Sequence, residues 1–215
     1  MILLIKQVMH TGAIHNEGIA IIDNAEFLGN KAGAAGGAIA SGLDNITDSN
    51  DRYSLDIKNS TFENNSTSVT KLVSHMMVMG DAVQDSIEIK HEAIEVHNER
   101  INGTGGAIFN QSGTVNIIDS DFSGNKAQNS TLGGAVYGAA NSNTVLRAQN
   151  RDMNVGNEQS LADVNNVTDT ITLATDAVGN LQASAGRNLN IYSHINGNNH
   201  SVLNVNNDYV VKKED

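Results

Sequence analysis

The chain contains no cysteine, no proline and no tryptophan, and aromatic residues of all kinds make up only 4% of its 215 positions. Without cysteine there is no disulfide framework, no thiolate nucleophile and no thiolate metal ligand. The absence of proline, together with 20 glycines, suits a regular stack of turns. No stretch approaches the roughly 18 consecutive apolar residues of a spanning helix. Ile2-Leu3-Leu4-Ile5 opens the chain, but Lys6 follows and no small-residue cleavage site appears, so a standard secretion signal is not expected. Cations are also scarce, with 13 Lys and Arg against 24 Asp and Glu, for a net charge of -11. That balance excludes nucleic acid, whose phosphates require clustered Lys and Arg, and it disfavours an anionic membrane surface. The acidity reads as a solvated outer face that keeps an elongated molecule soluble.

What the chain does contain is two recurring words. One is Gly36-Gly37-Ala38-Ile39, Gly105-Gly106-Ala107-Ile108 and Gly133-Gly134-Ala135-Val136. The other is Phe-x-x-Asn, at Phe27 and Asn30, Phe62 and Asn65, and Phe122 and Asn125, which uses three of the four phenylalanines in the chain. A weaker copy of the first word stands at Thr11-Gly12-Ala13-Ile14, and Gly80-Asp81-Ala82-Val83 fits a degenerate one. The words alternate with a period of roughly 25–28 residues, inside the range of solenoids. Ahead of each Phe lie apolar residues spaced by two, Ile19 and Ile21, Leu55 and Ile57, Val115 and Ile117, which is the spacing of a strand. Asn and Gly after each Phe tolerate the left-handed backbone of a tight corner.

These features predict an all-β chain, a parallel β-helix. Its coils stack at roughly 4.8 Å, so that Phe lies over Phe and Asn over Asn. In the glycine word, Gly-Gly turns without a Cβ, Ala fits the crowded position after it, and Ile or Val fills the core. Residues 1–10 are expected to be a lead or cap, 11–138 the clear repeat region with a degenerate coil over 67–100, 139–207 weaker coils, and 208–215 a tail.

The paired words resemble the polymorphic membrane protein repeats of bacterial autotransporter passenger domains and related surface adhesins. Ser60-Thr61-Phe62-Glu63-Asn64-Asn65 and Asp121-Phe122-Ser123-Gly124-Asn125-Lys126-Ala127 carry the likeness most closely, within a region running from Gly12 to Gly138. The resemblance implies a right-handed parallel β-helix of the pectin-lyase-like kind, a stalk displayed outside the cell, at the outer membrane or secreted, with a role in adhesion or as a structural spacer. Its implied partner is a host-cell or matrix protein or glycan. Contact with the outer membrane would come only through a C-terminal barrel, for which the chain has no strand series, so a fragment of a longer protein is expected. Exposed strand edges at the ends of such a stack would favour end-to-end self-association.

Tests for chemistry come back empty, and neither a cofactor nor a metal is expected. His91-Glu92 begins like a zinc-protease helix, but Glu95 occupies the place of the second histidine; His91 and His97 read as solvated. Asp48-Ser49-Asn50-Asp51 lacks the glycine and distant glutamate of a calcium loop. Asn-x-Ser/Thr triplets, as at Asn59, Asn65 and Asn166, are a by-product of composition. The alternative function is a polysaccharide lyase or glycoside hydrolase, which needs carboxylates facing outward in one groove on adjacent coils; Asp23, Asp56 and Asp119 are the candidates. For the attachment reading, the departures from the period at 42–53 and 67–80 are the candidate contact loops.

Overall fold

A computed structural model describes residues 12–33, 35–42, 53–68, 70–71, 100–101, 103–128, 132–163 and 167–205. Within them the chain winds as a parallel β-helix. The glycine-word strands form one column, in which Ile14 pairs with Ile39, Ile39 with Ile108, Ile108 with Val136, Val136 with Ile171 and Ile171 with Ile195, all parallel. On the same sheet lie the strands that follow in each coil, Ile19–Asp23, Ser54–Lys58, Thr114–Ile118, Asn143–Ala148, Val178–Ala183 and Ser201–Val205. In the third and fourth coils the two runs fuse into single long strands, Ile108–Ile118 and Val136–Ala148. A second sheet stacks Glu26–Leu28, Thr61–Glu63, Asp121–Ser123, Met153–Val155 and Leu189–Ile191. A third, narrower one stacks Lys31–Ala32, Ser66–Thr67 and Lys126–Ala127. In the fourth coil the one-turn helix Glu158–Leu161 takes that place, capped by Asn157, whose side chain accepts from the Gln159 and Ser160 amides.

Between the sheets runs one apolar core. Ile39, Leu55, Ile57, Ile108, Val115, Ile117, Val136, Leu146 and Ile171 are fully buried along the first sheet. Against them, from the second sheet, pack the rings of Phe27, Phe62 and Phe122, with centroids 4.7 and 4.9 Å apart and planes within 7°. This offset is set by the strand spacing, and it gives each ring the contacts of a stacked aromatic pair. Val155 and Ile191 continue the same column, so the core position persists where the letter Phe does not.

The two glycines of each word serve different purposes. The first, at Gly36, Gly105 and Gly133, sits at φ between 58° and 70°, a left-handed conformation that side chains with a Cβ adopt only under strain. The second, at Gly37, Gly106 and Gly134, has no room for a Cβ at all. One built on Gly37 would strike the Gly106 carbonyl oxygen, one on Gly106 the Gly134 carbonyl, and one on Gly134 the Val167 carbonyl. Coil backbone therefore rests directly on coil backbone at this corner.

In the first coil the strand turns Ile19 and Ile21 outward, 79% and 71% exposed, while Ala20 and Ile22 face the core. Ile-Ala-Ile-Ile offers an apolar residue to either face, and the pairing of Ile22 with Ile57 and of Ala20 with Leu55 selects the register. The degenerate coil expected over 67–100, including Gly80-Asp81-Ala82-Val83, falls largely outside the described residues. Ile39 pairs directly with Ile108, Leu55 with Val115, and Phe62 lies on Phe122, so coils two and three are immediate neighbours. Thr70–Lys71 and Arg100–Ile101 pair with each other antiparallel. The expected lead at 1–10 and tail at 208–215 also lie outside the described residues, as do His91, His97 and Asp48 to Asp51.

Candidate functional surface

Most polar side chains that the coils bury are spent on joining one coil to the next. Asn30 Nδ2 donates to Asn65 Oδ1 at 2.8 Å, Asn65 Nδ2 to Asn125 Oδ1 at 2.9 Å, and Asn125 Nδ2 to Asp169 Oδ1 at 2.9 Å. The backbone N–H of each of these asparagines donates to the same oxygen, at 3.0, 3.1 and 2.8 Å. The second hydrogen of Asn65 Nδ2 goes to the Phe27 carbonyl and that of Asn125 Nδ2 to the Phe62 carbonyl, which ties this ladder to the aromatic one. Asp169 ends it: its carboxylate also accepts the Gly124 amide at 2.7 Å and the Ser160 hydroxyl at 2.5 Å. Sequence reading found the three asparagines and missed Asp169, because its word has neither Phe nor Gly-Gly around it. Buried polar groups are tolerated only when satisfied, and here every rung is.

The three carboxylates considered for catalysis do not share a column. Asp23 stands in register with Lys58, Asp56 with Ile21 and Asn116, and Asp119 one step beyond the strand, level with the corner at Asn59. Each is already engaged: Asp23 accepts from the Asn59 amide at 2.9 Å and Asp56 from the Asn116 amide at 2.8 Å. Asp119 is fully buried at a left-handed corner and accepts the backbone N–H groups of Gln149 (2.6 Å), Asn150 (3.0 Å) and Arg151 (3.4 Å) and the Asn150 side-chain amide (2.8 Å). Burial alone would raise its pKa, but these hydrogen bonds together hold the carboxyl below its ordinary value of 3.8. Asp119 is therefore the clamp of the corner at 149–151.

That lowered value has a direction in pH. A carboxyl depressed by folding stabilises the native state above its unfolded value, and the stabilisation is lost as pH falls through the native one. Asp119→Asn keeps one acceptor but turns an amide towards the corner's N–H donors. The variant should be less stable than the parent at neutral pH by roughly 1–3 kcal/mol, and the difference should shrink on acidification. Urea unfolding across the acid range checks this; a difference independent of pH would contradict the clamp.

Two ion pairs occur among the described residues, Arg151 with Asp121 at 2.6 Å and His15 with Glu17 at 2.7 Å. No group of three or more His, Asp or Glu among the described residues could hold a metal ion. No helix among them is long and apolar enough to cross a membrane, which says nothing of a β-barrel. On the outer face of the first sheet is a shallow concavity of about 210 Å³ over Asp56, Lys58, Asn116, Ile118, Val145 and Arg147.

Compared with known families, residues 59–111 and 119–139 match the sequence profile of the Chlamydia polymorphic membrane protein repeat. Over those two stretches the chain is similar to the polymorphic membrane protein repeat. The second match spans the Phe122 and Asn125 word and the Gly133 to Val136 word, and the first begins at the corner before Phe62 and ends after Ile108. The repeat is that of a surface or outer-membrane type of protein, and its family is not one of enzymes. Comparison with curated proteins finds no match, and comparison with solved structures finds none either. In three dimensions the repeat is one coil of the stack: its Phe and Asn supply the two ladders and its Gly-Gly the backbone-on-backbone corner.

Proposed function

We propose that the chain is a non-catalytic, surface-displayed segment of an autotransporter-like passenger, serving adhesion or acting as a structural stalk. The observation that carries this reading is the polymorphic membrane protein repeat itself, matched over two coils of a solenoid. The chemistry of the coils supports it. The candidate carboxylates at 23, 56 and 119 occupy three different registers and are bonded to amides, which leaves no acid–base pair across a groove. A stack held by repeated ladders offers long outer faces whose residues can vary without disturbing the core. The segments 42–53 and 67–80, which depart from the repeat period, are the contact loops under this reading.

Antibodies raised against the purified chain should label intact cells of the source organism without permeabilisation, and the purified chain should bind host-cell monolayers saturably. Labelling only after permeabilisation would remove the surface assignment. Cleavage of an acidic polysaccharide by the purified chain would replace the stalk with the enzyme.

A further inference from the structure

Most asparagines of the coils are tied down, and one pair is not. Asn196-Gly197 is an Asn-Gly pair with both residues described; in the chain's other such pair, Asn102-Gly103, the asparagine lies outside the described residues. Asn196 closes the two-residue strand Ile195–Asn196, in register with Thr172, and is exposed. Its side chain is held by one long hydrogen bond, from Nδ2 to Thr172 Oγ1 at 3.3 Å. Gly197 is exposed too, and its backbone N–H has no backbone acceptor among the described residues. A Cβ there would meet only the Ser201 side chain, at 3.4 and 3.5 Å, so no backbone crowds the pair. The Asn-Ser pairs of the coils are locked by comparison. Asn65 is fully buried with both amide hydrogens given away, and the Ser66 N–H donates to the Asn30 carbonyl. Asn59 donates to Asp23 at 2.9 Å, and the Ser60 N–H to the Ser120 hydroxyl. Asn141 and Ser142 lie within the long strand Val136–Ala148, in register with Ser112 and Gly113.

We infer that Asn196-Gly197 is a self-modification site, at which the chain converts Asn196 to isoaspartate without an enzyme. Hydroxide removes the Gly197 N–H proton, the nitrogen attacks Asn196 Cγ, and the Cγ–Nδ2 bond breaks with release of ammonia. Water then opens the resulting succinimide at either carbonyl, leaving aspartate or its β-linked isomer. The attack requires the Gly197 nitrogen to swing onto the side-chain carbonyl carbon. A bonded N–H or a following Cβ resists that motion, and this pair has neither. The β-linked product runs the backbone through the former side chain, which lengthens it by about 1.5 Å at this point. Just beyond, Asn198 donates to the Ala174 carbonyl and, at 2.8 Å, to that of Ala177, and its backbone N–H to the Ser201 hydroxyl. The strand Ser201–Val205 follows, paired with Gly179–Ala183. Lengthening the chain between Asn196 and Asn198 pulls this anchor off its carbonyls and loosens the strand behind it, while the ladders through Phe62 and Asn65, several coils away, stay as they are.

The test is to age the whole chain in warm, mildly alkaline buffer and to follow it by peptide mass spectrometry, with electron-transfer fragmentation to place isoaspartate. The fragment holding Asn196 should become about 1 Da heavier as the amide is replaced by a carboxyl. Asn196 should convert at least about tenfold faster than Asn59, Asn65 or Asn141, and Gly197→Ala should slow it by about tenfold. An added methyl has room at Gly197, so that variant should keep the parent's melting temperature. No conversion at Asn196, an equal rate at the three Asn-Ser pairs, or an unchanged rate in Gly197→Ala overturns the site. Hydrogen exchange reads the consequence. Residues 201–205 should lose protection in the aged chain and keep it in Asn196→Asp, which carries the new charge without the longer backbone. Unchanged protection on ageing, or an equal loss in Asn196→Asp, overturns the loosening by chain lengthening.

Discussion

Gly106→Val is expected to prevent the chain from folding, or to cost more than about 4 kcal/mol if it folds at all. The reason is where the new Cβ would go. It would meet the Gly134 carbonyl oxygen of the next coil and the backbone of Lys126 at the neighbouring corner, and neither is the movable end of a side chain. Relief would require separating coils three and four, which breaks the ladder through Ile108 and Val136 on both sides of the corner. Overpacking against side chains typically costs about 1–3 kcal/mol, and backbone cannot rotate away as they can. Gly18→Ala is the matched control, since a Cβ there meets nothing within 4 Å and the glycine needs no left-handed φ. Its effect should stay within about 0.5 kcal/mol. Urea denaturation followed by circular dichroism compares the two, and a Gly106 variant as stable as the control would refute direct contact between coil backbones.

Phe62→Ala should cost about 3–5 kcal/mol, the range for deleting a fully buried ring. Phe62 is the middle ring of three and has a partner on each face, so the deletion opens a cavity between Phe27 and Phe122 and removes two stacked contacts. Strands at the ladder spacing cannot collapse towards one another, so little of the void should close. Phe62→Leu should recover much of the loss, as Val155 and Ile191 show that an aliphatic side chain can occupy this column. Phe27→Ala should cost less, because Phe27 has one stacked partner and remains 7% exposed. Thermal denaturation of the three variants tests the order; equal losses at Phe27 and Phe62 would mean that the rings act singly and not as a column.

The coil was legible because a solenoid repeats its own contacts. A residue that stacks on its copy is specified by that copy, and so Phe27, Phe62 and Phe122, or Asn30, Asn65 and Asn125, recur as letters. Past Asn125 the columns continue with other letters, Val155 and Ile191 for Phe and Asp169 for Asn, because shape or hydrogen-bonding capacity suffices. The same tolerance left the facing of Ile19 to Ile22 open: the local pattern allowed both registers, and only the neighbouring Ile57 distinguishes them. The outer concavity was not legible at all. Its six residues are spread from position 56 to position 147 and become neighbours only through the pairing of three coils.

The amide ladder also has a sense of direction. Along the ladder each of Asn30, Asn65 and Asn125 gives one amide hydrogen to the side chain of the later coil, whereas Asp169 as a carboxylate can only receive. A duplicated turn carrying its own asparagine could be spliced in anywhere upstream of Asp169, because the newcomer would take from one neighbour and give to the other. Placed immediately after Asp169, it would find no proton to receive from that carboxylate. Growth and shrinkage of the rod by gene duplication should therefore be confined to the side of Asp169 on which the asparagines lie.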